Sequence, residues 1–361
     1  MSGSLVAYWV AWSRVSGVGS VRARTLEDRF GSLRAAWEAD SFQLKAAGVG
    51  DRMVGEIIRQ RRGIDPDREM EKLLAAGIGA CALPDAAYPS RLREVRNPPM
   101  VLYSRGERTA ADELAVAIVG TRRASTYGRQ MAERIAAGLA RNGVTVVSGL
   151  ARGIDVTAHR AALDAGGRSL AVLGSWVDQV YPWENRGVAD RLMESGALLS
   201  EYAPGTKPDA RNFPPRNRII TGLSLGLVVV EADTKSGAMI SAGFAAEQGR
   251  EVMAVPGAAT SRGSEGPHDL VRQGATLVTS AEEVLEDLDV RQVAKQQEAR
   301  QVVPADPTEA VLLAYLSGAP LHIDELAREA GLPVSVVAGT LTLMELKGLA
   351  RSAGGMSYVL A

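Results

Sequence analysis

Seven short apolar runs punctuate the middle of the chain: LAVAIVG (114–120), VTVVSG (144–149), SLAVLG (169–174), ALLSEY (197–202), LGLVVVEA (225–232), EVMAVPG (251–257) and ATLVTS (275–280). Most are separated by longer stretches with apolar residues at helical spacing. This alternation is the rhythm of successive βαβ units, and runs so continuously apolar suit strands covered on both faces. The pattern predicts an α/β fold over residues 76–290, with a doubly wound, mostly parallel sheet between layers of helices.

On either side the pattern changes. Residues 1–75 read as short helices, and SGVGSVRARTLEDRFGS (16–32) is echoed by AAGVGDRMVGEII (46–58), each copy placing Gly-Val-Gly before a helix. A small all-α domain of SAM-like or helix-hairpin-helix type is expected there. Glycine permits the tight interhelical turn, and the free amides of the next helix are able to meet a phosphate; the favoured reading is a turn that merely packs two helices. Beyond the sheet, residues 291–306 are polar, charged and closed by prolines, and read as a linker. From 307 to 361, three helical patterns and a final strand, GGMSYVLA, follow in the order of a winged helix.

Composition narrows the chemistry. The 361 residues are 46% hydrophobic, enough for a large core. With a formal net charge of −1, any polyanion must be met by a local cationic patch, not by the field of the whole molecule. The single cysteine, Cys81, excludes a disulfide framework and a thiolate zinc site, and no metal or cofactor is expected. The start, MSGSLVAYWV, lacks the cationic flank and long apolar stretch of a signal peptide, so the expectation is a cytoplasmic protein without a membrane span.

In a parallel sheet, ligands gather at the carboxyl ends of the strands. After the first run stand Gly120, Arg122, Arg123 and Ser125, leading into a helix, an anion-ready turn without the G-x-G-x-x-G spacing of a dinucleotide site. The second run ends in Ser148, Gly149 and Arg152; Asp155 and His159 follow four apart on the next helix and are read as holding the loop more than as a catalytic pair. The fifth run leads to Lys235, Ser236 and Gly237. Between them lies RNFPPRNRII (211–220), where Arg211, Arg216, Arg218 and, just upstream, Lys207 surround Phe213 on a backbone stiffened by prolines. Several anion-ready strand ends exceed the needs of one nucleotide; a row of phosphates fits them better.

AIVGTRRASTYG, VSGLARGIDVTAHRAAL, AVLGSWVDQVYPWEN, LLSEYAPGTKP, NFPPRNRIITGLS, LVVVEADTKSGAMISAGFAAEQGREVMAVPG and LVRQGATLVTSAEEVL, in this order over residues 83–290, resemble the successive signatures of the DNA processing protein A (DprA/Smf) family. The resemblance implies an extended Rossmann-like domain between the helical and winged-helix domains, and a non-enzymatic protein that binds single-stranded DNA and loads a RecA-type recombinase, chiefly in natural transformation. It places Arg122, Ser148, Gly149, Lys207, Phe213, Arg216, Asn217, Arg218 and Ser236 in motifs that line the DNA pocket. Trp176 departs from the family, which often has a small residue there. Phe213 is the candidate ring for stacking on a base.

The resemblance also implies a homodimer, and a single-strand-binding protein is a further candidate partner. His268, Leu270, Val271 and Leu277 lie on a helix and final strand late in the sheet, where an edge or apolar face needs cover; packing within one chain accounts for them equally. In the tail, acidic residues outnumber basic ones, the wrong balance for a duplex contact, so it is read as a protein-interaction or regulatory module. The alternative from another class is a nucleotide-binding or nucleotide-hydrolysing Rossmann enzyme of phosphoribohydrolase type. The PGGxGTxxE segment of those enzymes is missing here.

Overall fold

The computed structural model describes residues 3–289, 307–316, 320–346 and 349–360; the linker expected over 291–306 lies outside them. Among the described residues, six helices come first: α1 (Gly3–Ser13), α2 (Ser20–Phe30), α3 (Leu33–Glu38), α4 (Ser41–Ala46), α5 (Asp51–Arg61) and α6 (Pro66–Ala75). Ser32, Asp40 and Asp65 start α3, α4 and α6 by accepting a hydrogen bond from a first-turn amide. Two antiparallel strands, β1 (Gly79–Ala82) and β2 (Val101–Gly106), then bracket the short α7 (Ser90–Glu94).

The seven apolar runs become β3 (Ala115–Val119), β4 (Thr145–Ser148), β5 (Ser169–Val172), β6 (Gly196–Ser200), β7 (Gly226–Val229), β8 (Glu251–Ala254) and β9 (Thr276–Leu277). Between and after them run α8 (Thr126–Arg141), α9 (Ile154–Asp164), α10 (Arg186–Glu194), α11 (Phe213–Gly222), α12 (Gly237–Glu247), α13 (Glu265–Arg272) and α14 (Ala281–Asp287). All join one nine-stranded sheet in the order β1-β2-β6-β5-β4-β3-β7-β8-β9. From β6 to β9 every pairing is parallel, while β2 meets β6 antiparallel.

Alternation along the strands divides the core in two. Val116 and Ile118 of β3, with Val228 of β7, point to the face covered by Ile135 and Leu139 of α8, Ala158 of α9 and Val284 of α14. Their neighbours Ala117, Val119, Leu227 and Val229 point to the face covered by Leu192 of α10, Ile219 of α11 and Ala242 of α12. Every residue of β3, β4, β5, β6 and β7 is buried, which is why their sequences are mostly apolar, and the polar exceptions Thr145, Ser148, Ser169 and Ser200 are each hydrogen-bonded.

The helical segment shares the second of these cores. Trp12 is fully buried, with its ring edge-on to Trp37 at 5.1 Å, and its indole N–H donates to the Leu33 carbonyl. Ser13 and the Tyr103 hydroxyl on β2 lie 2.7 Å apart. Residues Met1–Val290 thus pack as one compact unit, and the end of α6 at Ala75 is a seam within it.

The second unit, Arg291–Ala361, contains α15 (Pro307–Tyr315), β10 (Leu321–His322), α16 (Ile323–Ala330), α17 (Val334–Leu346), β11 (Ala350–Gly354) and β12 (Ser357–Leu360). Leu312, Leu326, Val337, Leu341 and Met344 fill its core, and β12 is the central strand of a small antiparallel sheet. Three helices with such a sheet form a winged helix.

Candidate functional site

Winding reverses at β3. The chain passes from β3 through β4, β5 and β6 on one side, then returns to β7, β8 and β9 on the other. Loops leaving neighbouring strands diverge at such a point. A cleft of about 660 Å³ opens there, lined by Arg122 and Arg123 after β3, by Phe213, Arg216 and Asn217 of α11, and by Ser236 and Gly237 at the start of α12.

Phe213 is half-buried in this cleft. Its ring sits 5.7 Å from that of Tyr181, with the guanidinium carbons of Arg122 and Arg216 at 5.6 and 5.8 Å from its centroid. Behind it is Gly174, where an added Cβ would come within 2.7 Å of the ring. The Tyr202 hydroxyl donates to the Asn212 carbonyl at 3.0 Å and holds the residue before the ring. Pro214 and Pro215 occupy the first turn of α11, where a missing N–H costs nothing.

Arg122, Arg123, Lys207 and Lys235 are exposed and have no carboxylate partner among the described residues. Lys207 stands one residue before Pro208 on the cleft wall, and Lys235 just before Ser236. No side chain caps α11 or α12. The Ser236 hydroxyl is buried without a hydrogen-bond partner, and Asn217 Nδ2 donates to the Gly237 carbonyl at 3.2 Å, tying the two helix starts together. Two open helix starts and the unpaired Arg122 and Arg123, with Lys207 and Lys235 each one residue from the lining, favour anions in the cleft.

Other residues expected to face a ligand are engaged elsewhere. The Ser125 amide and hydroxyl both donate to the buried carboxylate of Glu231, at 2.9 and 2.5 Å, so α8 already has its anion. Gly120 packs against Ile154, leaving no room for a side chain. Ser148 is fully buried and donates to the Ile118 carbonyl at 2.6 Å. The Gly149 amide donates to Asp155, and its carbonyl accepts from Arg216. Arg152 is held by Glu184 at 2.6 and 2.8 Å, and Arg211 by Asp209.

Arg216 and Arg218 part company. Arg216, only 4% exposed, donates through Nη1 to the carbonyls of Gly149 and Val172, and burial pulls its pKa down to about 10. Arg218 lies away from the Phe213 cleft, in a bidentate pair with Glu201 at 2.6 Å, its Nε donating to the Asn97 carbonyl. Asp155 and His159 do not pair. Burial raises the Asp155 carboxyl, whereas His159 faces Ser169 at 2.7 Å and burial lowers its pKa to about 3.

Residues 80–289 match the family described as DNA recombination-mediator protein A, and residues 296–356 match the DprA winged helix domain. The chain belongs to the DprA/Smf family. That membership gives it a role in DNA processing and recombination. It is 33% identical to Protein Smf of Synechocystis over 99% of both chains, and 42% identical to DNA processing protein DprA of Streptococcus pneumoniae over 57% of this chain and 72% of that one. The X-ray structure of the Streptococcus pneumoniae DprA superposes with a TM-score of 0.67 at 33% identity, covering 77% of this chain and 95% of that one. DNA processing protein A from Helicobacter pylori, whose structure addresses its single-stranded DNA binding mode, superposes at 0.53 with 30% identity, covering 58% and 95%.

At the far edge of the sheet, Leu277 on β9 is 49% exposed. Val271 is half-buried, and His268 Nε2 lies 3.1 Å from the Gly257 carbonyl. Leu270 is buried in the core. Sequence reasoning missed two residues that shape the cleft. Glu231, the first polar residue after β7, carried a signal in its position; Gly174 carried none beyond its place at a strand end.

Proposed function

We propose that this protein binds single-stranded DNA in the cleft between the ends of β3 and β7, protects it, and loads a RecA-type recombinase onto it without chemical turnover of its own. The observation that supports the reading best is that Arg122 and Arg123, without carboxylate partners among the described residues, line the same cleft as the half-buried ring of Phe213, with Lys207 and Lys235 each next in sequence to a lining residue. A single strand exposes both phosphates and base faces, and its binding sites combine a cationic track with a stacking ring. The Helicobacter pylori relative, studied for its single-stranded DNA binding mode, supports the ligand, and the family description as a recombination mediator supports the recombinase.

In this reading the protein is a cytoplasmic homodimer joined through α13 and β9, with a single-strand-binding protein as a further partner and the winged helix as a protein-interaction module. No described helix is long and apolar enough to cross a membrane. The test pairs two assays on the purified chain. Anisotropy of a labelled oligonucleotide should report tight binding that Arg122→Ala weakens, and incubation with nucleoside monophosphates should yield no free base. Turnover of monomers without binding of oligomers would instead make the protein a nucleotide enzyme.

A further inference from the structure

Beyond the Phe213 cleft lie three more cavities, each sharing lining residues with the one before it. Pro214 lines both the cleft and a second cavity, of about 1010 Å³, on the far flank of α11. Asn97, Glu201 and Arg218 carry the second cavity into a third, of about 480 Å³, against the start of α2. Val18 and Arg22 carry the third into a fourth, of about 880 Å³. The fourth is walled by both Gly-Val-Gly turns, 17–19 and 48–50, so the two halves of the sequence repeat meet across one cavity. All four adjoin in series within the Met1–Val290 unit.

The chemistry of the path changes along its length. In the second cavity the acids Glu94 and Glu247 offset Arg96 and Arg250, while Tyr202 and Phe244 offer rings. At the third, Glu201 is neutralised by Arg218. At the far end Gly17 and Gly48 turn the chain with φ of +85° and +87°, and Gly19 and Gly50 begin α2 and α5, each 11 residues long and without a side-chain cap. The acids there are already engaged, Asp51 by Lys45 and Glu56 by Arg59. Arg52 is exposed with no ion-pair partner among the described residues.

We infer that a single strand held at Phe213 continues along this groove, around α11 and over the Arg218–Glu201 pair, and ends on the paired Gly-Val-Gly turns. There the open starts of α2 and α5, with Arg22 and Arg52, take its last phosphates. The inference rests on the reading of the cleft as a single-strand site. The occupant is the same strand because each cavity shares lining residues with the next, beginning with Pro214 at the cleft, a succession that a separate ligand would not need.

The test compares thymidine oligonucleotides of about 6 and about 30 nucleotides on the full chain. Arg52→Glu suits the folded state, since a carboxylate is welcome in the first turn of a helix. It should bind the short oligonucleotide within about twofold of wild type and the long one about tenfold more weakly. Arg122→Ala should weaken both. Equal affinities of wild type and Arg52→Glu for the long oligonucleotide, or equal losses at both lengths, would overturn the path while leaving the cleft standing; if wild type fails to bind the short one, it is the cleft reading that falls. Photo-crosslinking from a terminal thiothymidine on the long oligonucleotide should mark residues 17–22 or 48–53, and their absence among the adducts would also overturn it.

Discussion

Arg216 Nη1 lies 2.8 Å from the carbonyl oxygen of Gly149 and also donates to the carbonyl of Val172. One guanidinium on α11 therefore ties together the ends of β4 and β5. The helix that carries Phe213 is built into the rim of the sheet, and the ring is positioned by the core beneath it. Asp155, buried nearby, contributes the countercharge that a buried cation needs.

Arg216→Ala should accordingly destabilise the fold, by about 3–5 kcal/mol, because it leaves the Asp155 carboxyl and two strand-end carbonyls buried without their partner. Arg122→Ala should change stability by no more than about 0.5 kcal/mol, since that side chain is exposed and forms no ion pair among the described residues. Urea unfolding of the two variants checks the contrast. Equal stabilities would mean that Arg216 is no clamp.

Salt dependence separates free cations from paired ones. Removing the charge of Arg122, Arg123, Lys207 or Lys235 should flatten the plot of log affinity against log salt by about 0.7 per site. Arg152→Ala should leave the slope nearly unchanged, because Glu184 neutralises that charge before any DNA arrives. If Arg152→Ala flattens the slope as much as Arg122→Ala, the pairing does not survive in the complex.

Stacking behaves otherwise. Phe213→Ala should cost about 1–3 kcal/mol of binding with the salt slope unaltered, because no counterion is released. Gly174→Ala should approach the same loss without touching the ring chemically, since its methyl group would need the space the ring now fills. Normal binding by Gly174→Ala would show that the observed ring position is not the one DNA selects.

The strands from β3 to β7 were legible because burial on both faces leaves mostly apolar residues, and such runs need no partner to be recognised; β8 and β9, partly exposed, were legible from the apolar runs that continue past them. β1 and β2 were not. GACA (79–82) is short, and VLYSRG (101–106) turns polar toward its exposed end. Within the site, sequence gave residue types but not partners. Arg216 and Arg218 stand two apart on a helix, a spacing that points side chains to different faces, so both could not have served one cleft. The carboxylate that fills the α8 start comes from Glu231, 106 residues from Ser125, and although its place just after β7 marked it as polar at a strand end, nothing near Ser125 announced it as the partner.

Acid should loosen the fold through His159. The Ser169 hydroxyl spends its proton on the Val146 carbonyl, so it accepts from His159 Nδ1–H and the ring is held neutral. The unfolded ring takes up a proton below about pH 6.5 while the folded one waits until about 3, so this contribution is present above 6.5 and is lost as pH falls toward 3. Asp155, raised by burial, works in the opposite sense. His159→Asn keeps a donor for Ser169 and cannot take up the proton. Between about pH 7 and about pH 5 it should lose about 2 kcal/mol less stability than wild type loses. Parallel pH profiles for the two proteins would remove His159 from the account.

The dimer prediction turns on two leucines at the same edge of the sheet. Leu277 sits on β9, whose outer side pairs with no strand among the described residues, and nearly half of its surface is exposed. An apolar side chain on an unpaired strand is a liability unless something covers it, and a second copy of the chain is the proposed cover. Leu270, on α13 directly before β9, is 7% exposed and belongs to the core. Leu277→Asp should therefore fold with the melting behaviour of wild type, sediment as a monomer at micromolar concentration, and keep its affinity for a short oligonucleotide. Leu270→Asp should fail at the earlier step and unfold, because its charge would be buried without a partner. If the recombinase docks on the same edge, Leu277→Asp should also lose loading onto protein-coated single strands. A wild-type chain that sediments as a monomer under the same conditions would end the argument for self-association at β9.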